Sequence, residues 1–183
     1  NAPGNIMYEK VCADLDVPYK RTGSLVVAHT EHEMMKLHEL YQNGLVNGVP
    51  DMRILFKDEV HEMEPNINPD ICGALYAGTA GLVSPFELCA KVAENAVDNG
   101  VTLKLNHLVT NIQNKNGSFL IKTTGEDIEA KIVVNAAGVY ADDIYKMVGE
   151  PYFKLLARKG NYFIFDKEVG GLVNNVIFPC PTK

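Results

Sequence analysis

The chain has 183 residues, 46% of them hydrophobic and 22% charged, with 15 glycines and 9 prolines. Such a composition builds a core, which excludes disordered and fibrous classes, and the length fits one domain or two small ones. The net charge of −6, from 17 basic against 23 acidic residues, argues against a nucleic-acid partner, whose phosphates require clustered Lys and Arg.

No apolar run approaches the roughly 18 residues of a membrane span, and the first residues lack the charged-then-apolar pattern of a secretory signal. The expectation is a cytoplasmic protein without direct membrane insertion. Cys12, Cys72, Cys89 and Cys180 are scattered, with no C-x-x-C pair. They read as reduced thiols packed as small hydrophobes, not as a metal or redox motif.

In chain order, Met7, Val11 and Leu15 stand four apart and predict an opening helix. Ser24-Leu25-Val26-Val27-Ala28 reads as a buried strand. Thr30-Glu31-His32-Glu33 has capping-box spacing, and Met34, Leu37 and Tyr41 follow in a helix ended by Gly44. Asp58, Glu59, Glu62 and Glu64 read as the solvated face of a short helix stopped by Pro65. Ser84-Pro85-Phe86-Glu87 is the clearest helix start, with Leu88, Val92 and Ala96 as the apolar stripe and Gly100 as the stop. Val101–Leu105 then alternates as a strand, so helix and strand together read as half of a βαβ unit.

Asn116-Gly117 between Val109–Ile112 and Phe119–Lys122 predicts a hairpin, because both central turn positions need positive φ. The same residues begin a glycosylation sequon, a reading that the missing secretory pattern disfavours. Glu126–Ala130 adds a short strand. Lys131-Ile132-Val133-Val134 reads as a strand buried on both faces, as in a parallel sheet, and Tyr140–Val148 as the following helix. Asn161–Asp166 and Leu172–Phe178 read as strands.

Asn135-Ala136-Ala137-Gly138 carries the most chemistry. Small residues after a parallel strand let a ligand lie against the backbone, and the amides opening the next helix can face an anion. Tight strand–helix packing explains the same residues, and both readings stand. His29, His32 and Glu33 have some metal-ligand character but no third ligand at a known spacing, so no metal is expected.

Val133-Val134-Asn135-Ala136-Ala137-Gly138-Val139-Tyr140-Ala141-Asp142 resembles the VVNAAGxxAD signature of the D-amino-acid-oxidase-like FAD-dependent oxidoreductases. Leu15–Gly23, Asn47–Pro50, Glu62–Pro65, Gly81–Pro85 and Arg158–Tyr162 are similar, in order, to the glycerol-3-phosphate and L-2-hydroxyglutarate dehydrogenase branch. The resemblance implies an α/β fold, α+β in part. It would comprise a fragment of a Rossmann-like FAD domain and a mixed, largely antiparallel substrate-domain sheet. Residues 3–83 would be mostly substrate domain with an N-terminal helix, 84–149 part of the FAD domain, and 150–183 substrate-domain strands.

It also implies FAD as cofactor, with Val109, Asn135, Ala136, Ala137 and Gly138 toward the cofactor and Arg158 and Tyr162 toward the substrate. The reaction implied is hydride transfer from glycerol 3-phosphate to flavin, with L-2-hydroxyglutarate or another 2-hydroxy or amino acid as the alternative. Partners would be the small-molecule substrate and an electron acceptor or partner subunit. The family's G-x-G-x-x-G turn is absent, and its catalytic His and Arg positions fall mostly outside these residues. The chain therefore reads as a central fragment, expected to bind no FAD alone. A non-catalytic binding or subunit-contact module is the reading of another class.

Overall fold

The computed structural model describes residues 2–150 and 152–181. It forms two compact units, Asn1–Val101 with Phe165–Lys183, and Thr102–Ile164.

The first unit is built on a four-stranded sheet. Its strands are β2 (Ser24–Ala28), β3 (Met52–Phe56), β4 (Gly73–Ala77) and β9 (Val176–Pro179), in the order β3-β4-β2-β9. The first three run antiparallel, and β9 joins β2 in parallel, with Ser24 opposite Val176. Alternation along the strands sends Leu25, Val27, Leu55 and Ala74 to one face, where Val60, Ile71, Met63 and Ile67 cover them. Val60 and Met63 belong to α3 (Lys57–Met63). The opposite face presents Ala28, Leu75, Val26 and Ile54 to Met34 and Leu37 of α2 (Glu31–Val46). The sheet is thus sandwiched between helices and buried on both sides.

Around it lie α1 (Ala2–Asp14), the ribbon of β1 (Tyr19–Arg21) with β5 (Gly81–Val83), and α4 (Pro85–Asp98). The caps form as the spacing predicts. Thr30 Oγ1 accepts from the Glu33 N–H at 3.2 Å, while the Glu33 carboxylate accepts from the His29 N–H at 2.6 Å, one residue before the cap. Ser84 Oγ accepts from the Glu87 N–H at 3.3 Å. Ser84→Ala leaves that donor unpaired and is expected to cost about 1 kcal/mol, read as a lower denaturation midpoint with unchanged slope.

The reading of Gly44 needs correction. Gly44 does not end α2. A Cβ there would lie 2.5 Å from Met52 Sδ, so Gly44 is a packing glycine inside the helix, which runs on to Val46. The stripe of α4 exists, yet none of its residues is buried among the described residues.

The second unit holds the meander β6 (Val109–Lys115), β7 (Ser118–Thr123) and β8 (Ile128–Ala130), with α5 (Ala141–Lys146). Asn116 and Gly117 take φ of 43° and 94°, as the hairpin turn demands.

Three expected strands do not form. Val101–Leu105, residues 131–134 and Asn161–Asp166 have no ladder partner among the described residues. Ile132 and Val134 are 80% and 83% exposed, and Tyr162 is 90% exposed. A β-rich sequence becomes a strand only when a neighbour takes its N–H and C=O groups. Of the final strands, only Val176–Pro179 pairs. The expectation for residues 150–183 also touches 151 and 182–183, which lie outside the described residues. The helix read from Tyr140 to Val148 shortens to α5, entered through a 3-10 turn over Gly138–Tyr140.

Candidate functional site

The sequence pointed most strongly to the bend over residues 135–138, which lies in the second unit. One side chain braces it, beside the backbone bond from the Tyr140 N–H to the Ala137 carbonyl at 3.1 Å. Asn135 Oδ1 accepts from the Ala137 N–H at 3.2 Å, and Asn135 Nδ2 donates to the Ala141 carbonyl at 2.8 Å. The first contact is an Asx-type turn, and the second ties the bend to the first residue of α5. Gly138 then adopts φ of 57°, which a side chain tolerates poorly.

Ala136 and Gly138 are exposed and Ala137 is half-buried. A Cβ built on Gly138 would meet nothing within 4 Å. The tight-packing explanation therefore finds no neighbour here among the described residues. What the bend offers is open main chain, suited to the close approach of a flat or phosphorylated ligand. The helix that follows is too short to act as an anion site through its own amides.

Below the bend is an apolar cavity of about 200 Å³, with Val133, Asn135, Ile112, Phe119 and Tyr145 among its lining residues. Val109 opens β6 opposite Thr123, where a bulge shifts the register before Asn111. It is half-buried and does not border that cavity. Arg158 and Tyr162 lie in an irregular, exposed stretch of the same unit, where the Tyr162 ring packs near Gly160. Asn135, Ala136, Ala137 and Gly138 are thus one structural feature, while Val109 belongs to β6 and Arg158 and Tyr162 to the irregular stretch after α5.

The charged residues around the bend are not all solvated. Asp142 is buried, with Oδ2 3.7 Å from Lys146 Nζ, and exposed Asp143 holds the same ammonium at 2.7 Å. These carboxylates raise the pKa of Lys146, chiefly through the Asp143 hydrogen bond. In the other unit, the His29 ring meets the Asp70 carbonyl at 3.2 Å and Glu33 is engaged with the His29 backbone. Among the described residues, no group of three or more His, Cys, Asp or Glu is placed to hold a metal ion. Burial pushes the Cys180 thiol up, with Glu33 adding to the effect.

Sequence reasoning missed the double engagement of Asn135. The available signal was an Asn two residues before a backbone N–H in a small-residue bend. It also misread Glu64, which is not part of a solvated acidic face but is 1% exposed and hydrogen-bonded to backbone N–H groups.

Solved structures share this α/β arrangement. A glycine oxidase from Geobacillus kaustophilus superposes with a TM-score of 0.71 at 28% identity, over 80% of this chain and 41% of that one. FAD-bound L-alpha-glycerophosphate oxidase from Mycoplasma pneumoniae gives 0.77 at 24% identity, over 98% of this chain and 49% of that one. The fold class is therefore that of such oxidoreductases: a Rossmann-like helix-and-sheet part beside a separate mixed, largely antiparallel sheet. The family profile for DAO, FAD dependent oxidoreductase, matches residues 3–183, and the chain belongs to that family.

Among curated relatives, glycerol 3-phosphate dehydrogenase of Caloramator mitchellensis is 47% identical over all of this chain and 38% of its own length. L-2-hydroxyglutarate dehydrogenase of Escherichia coli (strain UMN026) is 30% identical over 97% of this chain and 42% of its own length. The chain thus spans about two-fifths of the relatives it matches. No helix among the described residues is long and apolar enough to cross a membrane.

Proposed function

We propose that the full-length polypeptide is a FAD-dependent dehydrogenase that oxidises glycerol 3-phosphate, and that this chain supplies part of its FAD domain and much of its substrate domain. The observation that carries this reading is the exposed bend at Ala136–Gly138, fixed from within and open where a Cβ of Gly138 would project. Its backbone fits the close approach of a dinucleotide, and a larger residue at position 138 would be strained as well as obstructive. When bound, FAD supplies the acceptor for the hydride leaving the substrate carbon.

This chain's own contribution is placement. Ala136, Ala137 and Gly138 present main chain to the cofactor, and Val109 is assigned to its adenine end. Arg158 is assigned to a bidentate grip on the substrate's phosphate or carboxylate, with Tyr162 beside it. The 47% identity to a glycerol 3-phosphate dehydrogenase supports that substrate over L-2-hydroxyglutarate, whose dehydrogenase is 30% identical. L-2-hydroxyglutarate remains the second reading for that reason.

The test is to purify the full-length protein, record its flavin absorbance, and add each substrate with an artificial electron acceptor. The expected result is a yellow protein that reduces the dye with glycerol 3-phosphate and only weakly with L-2-hydroxyglutarate. The reverse preference installs the second reading. A full-length protein that carries and binds no flavin overturns both, and favours a non-catalytic module.

A further inference from the structure

We infer that Asn135 is a positioning residue that clamps the Ala136–Gly138 backbone into the shape that receives the cofactor, and is not itself a ligand of the cofactor. The inference rests on the FAD reading above and deepens it. Its basis is the complete use of one carboxamide: the oxygen accepts from the Ala137 N–H and the nitrogen donates to the Ala141 carbonyl. The two contacts reach Ala137 inside the bend and Ala141 just beyond it, so one planar group spans the turn. A carboxamide engaged at both ends must give up a backbone contact to turn to a ligand.

The surroundings agree with a clamp. Asn135 borders the apolar cavity lined by Val133, Ile144 and Tyr145, while its carboxamide stays exposed and is oriented by its two backbone bonds. Among the described residues no side chain packs against Gly138, whose would-be Cβ faces open space. Gly138 holds its positive φ at the point where the clamp spans the chain, between Ala137 and Ala141. Without Asn135 the bend keeps its backbone bonds, such as that from the Tyr140 N–H to the Ala137 carbonyl, but loses both side-chain braces. The cofactor must then bind a backbone that samples several conformations, and the apparent affinity falls with the fraction that is competent.

The experiment uses the full-length protein with Asn135→Ala and Asn135→Asp. Hydrogen exchange of peptides covering residues 135–141 is measured without flavin, and FAD affinity by quenching of flavin fluorescence. Thermal unfolding serves as the control for global damage. Asn135→Ala is expected to speed exchange in this segment and weaken FAD binding by about tenfold or more, with little change in global melting. Asn135→Asp keeps the acceptor for Ala137 but loses the donor to Ala141, so it should fall between wild type and Ala in both readouts. Weakened FAD binding with unchanged exchange overturns the clamp in favour of direct contact. Faster exchange with unchanged affinity overturns the positioning role. A wild-type protein that binds no FAD overturns the function reading instead, and is distinguished from clamp failure because exchange is read without flavin.

Discussion

Replacing Glu64 by Ala is expected to destabilise the first unit by about 3–5 kcal/mol. The carboxylate is 1% exposed at the C-terminal end of α3. It accepts from the Asn174 N–H through both oxygens, at 2.9 and 3.0 Å, and from the Asn175 N–H at 2.5 Å. The adjoining contacts run the same way: Asn174 Nδ2 donates to the Met63 carbonyl, and Asn175 Nδ2 to that of Thr22. Together they fasten the segment that leads into β9. Removing the carboxylate strands two backbone donors and leaves a void, and each stranded donor carries a desolvation cost. Glu64→Gln keeps one acceptor oxygen but turns an NH₂ toward the amides, so about 2 kcal/mol is expected. Neighbouring Glu62 is exposed, and Glu62→Ala should change stability by under about 0.5 kcal/mol. Chemical denaturation decides the matter. A Glu64→Ala midpoint close to that of Glu62→Ala would show that the buried carboxylate does not hold this segment.

Gly73→Ala should cost about 3 kcal/mol for a different reason. Gly73 begins β4, between Phe56 of β3 and Ala28 of β2. A Cβ there would meet the Leu55 carbonyl oxygen at 2.4 Å and Met34 Sδ and Cε at 3.1 Å. Met34 can adjust its flexible thioether, but a ladder carbonyl cannot move without disturbing its strand. The control is Gly48→Ala, which has φ of 69° and nothing within 4 Å of its would-be Cβ. That change carries only the conformational penalty, about 1 kcal/mol. Equal losses at the two positions would mean that the sheet yields to the extra methyl group, and the close-packing account of β4 would then be wrong.

Much of the fold was legible where its signals are local. Thr30 and Ser84 announce helix starts through side-chain oxygens three residues from the amides they receive, and both contacts are present. Asn116-Gly117 announces the hairpin because few other residues accept the required φ values. Gly44 misled for the same reason in reverse: a glycine reads as a stop, and only the tertiary position of Met52 reveals it as space for a side chain. Glu64 misled because an acidic run looks solvated in sequence, while its partners lie about 110 residues away.

The strands read over Val101–Leu105, residues 131–134 and Asn161–Asp166 fail at a different level. Their composition favours pairing, but propensity creates no partner. At the candidate site, the identity of the bend was legible as Asn-Ala-Ala-Gly, whereas its inner geometry was not. Whether an amide faces outward or closes on its own backbone depends on where Ala141 sits, and spacing alone cannot reveal that.

The parallel pairing of β2 with β9 also bears on synthesis. Ser24 leaves the ribosome long before Val176, its partner in the ladder. Until the later segment emerges, the outer side of β2 presents bare main-chain groups, and closing so large a loop is entropically slow. The nascent polypeptide thus passes through a stage in which an early domain waits, adhesive and incomplete, for a strand encoded much further downstream.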